Sequence, residues 1–172
     1  MFENIPQEID NSWYKGHAYG SGYYNINTKQ CYVNIPKNAS TTMKNICAEK
    51  NFVRVNWHTD DLDIKQWIIV WREPYSRFAS GRNYMKKSGR INAVEHVAPQ
   101  CAFVPQNIQN VLLISFDDLN KSLYENLGWV NKKVLNKFTG YENDDLIAIK
   151  EQIISKKMFE YDEFIYKLLV SP

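Results

Sequence analysis

The sequence predicts an α/β fold, with three layers in which helices flank a central, mainly parallel β-sheet. Residues 67–71 (Trp-Ile-Ile-Val-Trp) are continuously apolar, which is typical of a strand that is buried on both faces. Residues 32–35 and 52–57 are rich in β-forming side chains and largely alternate, as strands do. Apolar side chains between these two segments recur at helical spacing. A strand, a helix and further strands in succession favour α/β layering.

Composition predicts one globular domain that spans residues 1–172. The chain is 44% hydrophobic and 14% aromatic, which argues against disorder. Residues 1–22 are polar and glycine-broken, and they predict an N-terminal arm. Residues 23–118 hold the predicted strands of a sheet-forming core, and residues 119–172 have the apolar periodicity of C-terminal helices.

Charge and hydropathy exclude several classes of protein. A net charge of +2 is too small to predict a nucleic-acid partner. No apolar run is long enough for a transmembrane helix, and the first residues lack the profile of a signal peptide. We therefore expect a cytoplasmic protein without a membrane partner. Cys31, Cys47 and Cys101 are predicted to be reduced core residues, since their number is odd and their spacing wide.

The predicted elements follow one another in a regular order. Residues 23–27 and 30–35, joined by Thr28 and Lys29, predict a β-hairpin. Pro74 suits the first turn of a helix that ends near Lys87. Residues 88–107 are irregular and predict a long loop, and residues 111–116 predict another buried strand.

A polar loop between the first predicted parallel strand and its helix is a candidate anion site. Residues 36–42 read Pro-Lys-Asn-Ala-Ser-Thr-Thr, and Ser40, Thr41 or Thr42 is expected to cap the helix. The backbone N–H groups and the helix dipole at such a turn favour a phosphate or sulfate, and Lys37 adds a full charge. A Walker loop has two glycines, and its lysine stands near the end of the loop. This loop has no glycine, and its lysine, Lys37, stands near the beginning. The alternative is that the hydroxyls only cap the helix and Lys37 is a solvated charge.

A second candidate anion site follows the apolar strand. Arg72 stands at the strand end, where a guanidinium can bind a phosphate through two hydrogen bonds. Ser80 lies about two helical turns further on, within reach of the same phosphate, and Gly81 would allow a ligand close to the helix backbone. The alternative is that Arg72 pairs with Glu73 or another neighbouring residue, and that Ser80 is an ordinary helix serine. Since parallel strands place their carboxyl ends at one edge, the two sites together suit a nucleotide that is charged at both ends.

Four segments resemble sulfotransferases that use 3′-phosphoadenosine 5′-phosphosulfate (PAPS). Residues 35–42 are similar to their 5′-phosphosulfate loop, and residues 71–80 to their 3′-phosphate motif, with arginine and serine eight positions apart. Residues 96–100 and 114–119 resemble segments of the carbohydrate (Golgi-type) branch, so that the resemblance covers about residues 31–120. Three departures are visible. In the first loop, Asn-Ala-Ser (residues 38–40) replaces the Thr-Gly-Gly of many members. Tyr84 follows Ser80 by four residues instead of two. The chain is also shorter than most carbohydrate members and lacks their membrane anchor.

The resemblance implies a P-loop-like fold in which residues 23–118 form the nucleotide-binding core. It also implies transfer of a sulfuryl group from PAPS to an acceptor hydroxyl, with a carbohydrate or a small molecule as partner and 3′-phosphoadenosine 5′-phosphate (PAP) as product. It implies no metal. Lys37 would neutralise charge on the leaving oxygen. The implied donor-binding residues are Lys37, Asn38, Ala39, Ser40, Thr41, Thr42, Arg72 and Ser80.

The acceptor hydroxyl needs a base, and two histidines are candidates. His58 follows the strand predicted at residues 52–57 and is the first choice. Asp60 and Asp61 are candidates to orient it, and the favoured alternative is that they form a solvated helix-capping turn. His96, in the irregular segment 88–107, is the second choice. On this mechanism the segment would form an acceptor-binding loop. Two other functions stay open: a catalytically silent PAPS- or PAP-binding module, and an atypical P-loop kinase.

Overall fold

The computed structural model describes residues 19–90, 94–105, 108–130 and 156–170, and within them it is an α/β protein. The strands are β1 (Ser21–Asn25), β2 (Gln30–Val33), β3 (Val53–Asn56), β4 (Gln66–Trp71) and β5 (Val111–Ser115). The four α-helices of these ranges are α1 (Ser40–Glu49), α2 (Pro74–Ser88), α3 (Leu119–Leu127) and α4 (Lys156–Val170). Two short 3-10 turns, Val94–His96 and Gln100–Phe103, lie between α2 and β5. Residues 1–18 of the predicted arm lie outside the described residues. The arm was predicted to extend to residue 22, but β1 already begins at Ser21.

The five strands form one open mixed sheet in the order β3-β1-β2-β4-β5. The pairs β2–β4 and β4–β5 are parallel, whereas β1 pairs antiparallel with both β2 and β3. The prediction of a mainly parallel sheet is therefore wrong. The reason is the hairpin, since a short turn can join only antiparallel strands. The hairpin places the antiparallel strand β1 beside β2, at a position that a parallel strand occupies in a mainly parallel sheet.

The individual elements agree well with the sequence. The apolar strand β4 and the strand β5 form where they were predicted. The hairpin also forms, but its first strand, Ser21–Asn25, begins and ends two residues earlier than the predicted 23–27. Helix α2 begins at Pro74, and the Glu73 carboxylate accepts hydrogen bonds from the first-turn N–H groups of Tyr75 and Ser76. It ends before Gly89, whose positive φ of 68° suits a helix C-terminus.

Apolar side chains pack on both faces of the sheet. On one face, alternate residues of β2 and β4 such as Val33 and Trp71 contact the second 3-10 turn and Ile165 of α4. On the other face, Tyr32 and Ile68 belong to a core with residues of α1 and α3. All three cysteines are buried and free, as predicted. Across the described ranges, no helix has the length and apolar character needed to cross a membrane.

Candidate functional site

Loop 1, residues 34–39, connects β2 to α1 at the carboxyl edge of the sheet. Its backbone turns sharply, with a positive φ of 68° at Lys37 and 56° at Ala39. Asn38 is completely buried, and its side-chain N–H₂ group donates to the backbone oxygen of Val70 at 2.8 Å and to the Gln100 side chain. Loop 1 is therefore attached to the neighbouring parallel strand β4.

The start of α1 differs from the prediction that Ser40, Thr41 or Thr42 caps it. The helix begins at Ser40, so that all three hydroxyls already lie within it. The cap position is Ala39, in the left-handed conformation and without a side-chain hydrogen bond to the helix. The N–H groups of the first turn thus have neither an intrahelical acceptor nor a capping side chain. They stay available to an anion, which the helix dipole also favours.

Loop 2, residues 72–73, follows β4, and it directly contacts loop 1. The Arg72 Nη1 atom donates to the backbone oxygen of Lys37 at 3.1 Å. The Nε atom donates to the Ser76 hydroxyl at 2.9 Å, and the guanidinium lies 4.4 Å from the centre of the Phe116 ring. The structure therefore brings the two predicted cations, Lys37 and Arg72, to one rim. The hydroxyl that contacts Arg72 belongs to Ser76, one turn before Ser80, whose own role stays a prediction.

Arg77 of α2 is a cation that the sequence analysis missed. It is fully buried, and its Nε atom donates to the backbone oxygen of Pro36 at 2.9 Å. Its Nη atoms donate to the backbone oxygens of Ala98 and Glu95, so that one side chain connects loop 1 with residues 94–98. Burial lowers the pKa of Arg77 to about 10, which leaves it charged at neutral pH. The only signal in the sequence is its position within the first turns of α2, five residues after Arg72.

The charges of the three cations interact, although the buried Asp162 carboxylate of α4 offsets part of the charge of Arg77. Burial, then the charges of Arg72 and Arg77, lower the pKa of Lys37. Within the described ranges, no carboxylate lies at ion-pairing distance from the Lys37 ammonium group. That group lies 3.8 Å from the centre of the Tyr84 ring, a weak cation–π contact. A bound anion would relieve the mutual repulsion of these charges.

His96 lies beside this rim. Its ring is 4.5 Å from the Tyr84 ring, edge to face, and its Nδ1 atom is buried without a hydrogen-bond partner among the described residues. Burial and the charge of Lys37 lower the pKa of His96 to about 4, so that the imidazole is neutral at pH 7. Gly81 makes the approach possible, because a Cβ atom there would overlap the His96 carbonyl group. The close approach expected at Gly81 is thus made by the chain itself.

His58 lies further from the rim. It follows β3, which is two strands away from β2, or about 10 Å at the usual strand spacing. Its side chain packs against Tyr19 at 5.0 Å between ring centres. Asp60 accepts a hydrogen bond from the Asn56 N–H group, and it thereby closes the turn instead of orienting His58.

The arrangement combines uncapped N–H groups, three cations and a neutral histidine at one sheet edge, which is the chemistry of an anion-binding site. No group of three or more histidine, cysteine, aspartate or glutamate side chains that could hold a metal ion is found within the described ranges. No family model, curated protein or solved structure matches this chain.

Proposed function

We propose that the protein is a sulfotransferase that moves a sulfuryl group from PAPS to an acceptor hydroxyl, with a carbohydrate as the expected acceptor and with a P-loop-like core. One observation carries the proposal. The hydrogen bond from Arg72 to the Lys37 backbone oxygen joins the loops that were predicted to bind the two charged ends of one nucleotide. These loops follow adjacent parallel strands, at the edge where α/β proteins bind ligands.

Loop 1 and the first turn of α1 would hold the 5′ end of the donor. The contributing groups are the backbone N–H groups from Ala39 to Thr42, the hydroxyls of Ser40 and Thr41, and the Lys37 ammonium group. The backbone N–H group of Asn38, which was predicted to join them, donates instead to the Ile35 backbone oxygen at 3.2 Å. Arg72 and Ser80 would hold the 3′-phosphate. The cation cluster fits a ligand of this charge, because burial and then the charges of Arg72 and Arg77 lower the pKa of Lys37, and a bound anion would offset both effects.

Sulfuryl transfer resembles phosphoryl transfer, in which a protein contributes mainly positioning and charge stabilisation. Lys37 would stabilise negative charge on the leaving oxygen, since its ammonium group has no carboxylate partner in the described part of the chain. His96 would take the acceptor proton. His96 and Lys37 both contact the Tyr84 ring, whereas the first-choice base His58 follows a strand that is two positions from β2.

A second function, a PAP- or PAPS-binding module without a working base, has one observation in its favour. A histidine with a pKa of about 4 is a weak base. An anion bound next to Lys37 would raise the pKa of His96. The sulfotransferase requires that bound nucleotide makes His96 basic, whereas the silent module does not. An atypical kinase is the third possibility, and it requires that ATP binds as well as PAP.

A thermal-shift titration tests the binding part of the proposal. We expect PAP to raise the melting temperature markedly, and ATP or adenosine 5′-phosphate to raise it little, because only PAP carries charge at both of the required ends. An equal response to ATP would contradict a site for a 3′,5′-bisphosphate and would favour the kinase.

Transfer of radiolabelled sulfate from PAPS to a panel of sugars and phenols tests the chemistry. We expect Lys37→Ala to reduce transfer by about 10²–10³-fold, the usual effect of removing one charge-stabilising group. Lys44→Ala, an exposed lysine of α1, is the matched control and should be nearly neutral. Binding of PAP by the wild type without transfer to any acceptor would favour the silent module.

A further inference from the structure

We propose that Gln100 is a positioning residue that sets the separation between loop 1 and loop 2, and that Asp162 of α4 holds Gln100 in place. The inference rests on the proposed function for the identity of the ligand. It goes beyond that function because it assigns a role to Gln100 and Asp162, which are not among the residues proposed to bind the donor.

The Gln100 side chain is completely buried and binds both loops at once. Its oxygen accepts hydrogen bonds from the Asn38 side chain of loop 1 and from the backbone N–H group of Arg72, the latter at 3.0 Å. Its N–H₂ group donates to the backbone oxygen of Arg72 at 2.8 Å. The amide therefore pairs with Arg72 as a neighbouring strand would, at a position beyond the last residue of β4. The position of each loop is thereby fixed relative to the same amide group.

Asp162 fixes the position of Gln100 in turn. The Asp162 carboxylate is buried and accepts hydrogen bonds from the backbone N–H groups of Gln100, at 2.6 Å, and Cys101, at 2.9 Å. The backbone oxygen of Asp162 accepts a third bond from the Trp71 indole at 3.1 Å. Helix α4, far away in the sequence, is thus connected through one carboxylate and one amide to both loops.

A fixed separation matters for a ligand that is charged at both ends. Such a ligand binds more tightly than either end alone when the two sites are held at the distance that it spans. If the loops move relative to each other, this advantage shrinks, although each loop can still bind a single phosphate. The affinity ratio, defined as the affinity for PAP divided by the affinity for adenosine 5′-phosphate, is therefore sensitive to the separation of the loops.

A merely structural role predicts another result. Any buried amide with three hydrogen bonds stabilises the fold, and its loss would lower the melting temperature without a specific effect on the affinity ratio. Asn25 is a matched comparison. It is buried and makes three side-chain hydrogen bonds, to Asn27, Thr28 and Lys50, at the opposite edge of the sheet.

The experiment compares the wild type with Gln100→Met and Asn25→Leu in the full chain. Each variant replaces the amide with an apolar side chain of similar size. Isothermal titration gives the dissociation constants of PAP and of adenosine 5′-phosphate, and thermal unfolding gives the stability. We expect Gln100→Met to reduce the affinity ratio at least tenfold and to change the affinity for adenosine 5′-phosphate less than threefold. Asn25→Leu should lower the melting temperature by a similar amount and leave the ratio unchanged.

Each result is decisive. An unchanged ratio in Gln100→Met, with a clear preference for PAP in the wild type, would overturn the positioning role and leave the proposed function intact. No preference for PAP in the wild type would overturn both. Should Gln100→Met fail to fold, Gln100→Glu serves instead. It keeps oxygens to accept from Asn38 and Arg72 but loses the donor to the Arg72 oxygen, and we then expect the ratio to fall at least threefold.

Discussion

Lys37 has a backbone and a side chain that do different things. Its backbone oxygen accepts the hydrogen bond from Arg72, and the positive φ of 68° turns the loop so that this is possible. Its ammonium group lies over the Tyr84 ring, close to two arginines. The sequence could identify Lys37 and Arg72, because each adjoins a strand end. It could not identify Gln100 and Asp162 as partners, because nothing local relates residues that are 62 positions apart.

His96 should titrate at an unusually low pH. Burial and the nearby Lys37 charge lower its pKa to about 4, from an ordinary value of 6.5. We expect PAP to raise this pKa, because the bound phosphates would offset the charge of Lys37. An NMR titration of the histidine ring protons, with and without PAP, measures both values, and His96→Gln identifies the signal.

The same shift has a consequence for stability. Between pH 6.5 and about 4, the unfolded chain binds a proton at His96 that the folded protein does not bind. His96 therefore makes the protein less stable as the pH falls through this range, and His96→Gln should weaken that dependence. A pKa near 6.5 in the folded protein, with no response to PAP, would contradict this description of the site.

Helix α2 connects most parts of the site. It contributes Arg77 and Tyr84, and Gly81 allows the 3-10 turn at Val94–His96 to lie directly against its backbone. The helix itself could be predicted from Pro74 and from the glycine at its end. The group that packs against Gly81 could not be predicted, because a glycine within a helix indicates a close approach without indicating which group approaches.

Gly81→Ala should displace the turn that carries His96. The new methyl group would overlap a backbone carbonyl, which cannot move away by a side-chain rotation. We expect a loss of about 1–3 kcal/mol in the free energy of unfolding, as for other overpacked positions, together with a lower transfer rate. Urea unfolding and the sulfate-transfer assay measure the two effects. Lys86→Ala, an exposed change on the same helix, is the control. A fully stable and active Gly81→Ala protein would mean that His96 does not lie against α2.

At the scale of the whole molecule, the sequence predicted the elements better than their arrangement. The apolar run in β4 and the alternation in β2 are local signals, and both strands formed as expected. The neighbours of a strand are set by tertiary pairing, and alternation does not distinguish a parallel from an antiparallel partner. For this reason the antiparallel pairing of β1 with β3, and with it the distance of His58 from loop 1, could not be predicted.

Loop 1 and loop 2 must bind the two ends of a single ligand if the protein is to use PAPS. Isothermal titration of the wild type with PAP, adenosine 5′-phosphate and adenosine 3′-phosphate tests it most directly. We predict one PAP per chain, bound about 10²-fold or more tightly than either monophosphate, since the second phosphate binds without a further loss of translational freedom. Equal affinity for all three nucleotides, or two PAP molecules per chain, would contradict the claim.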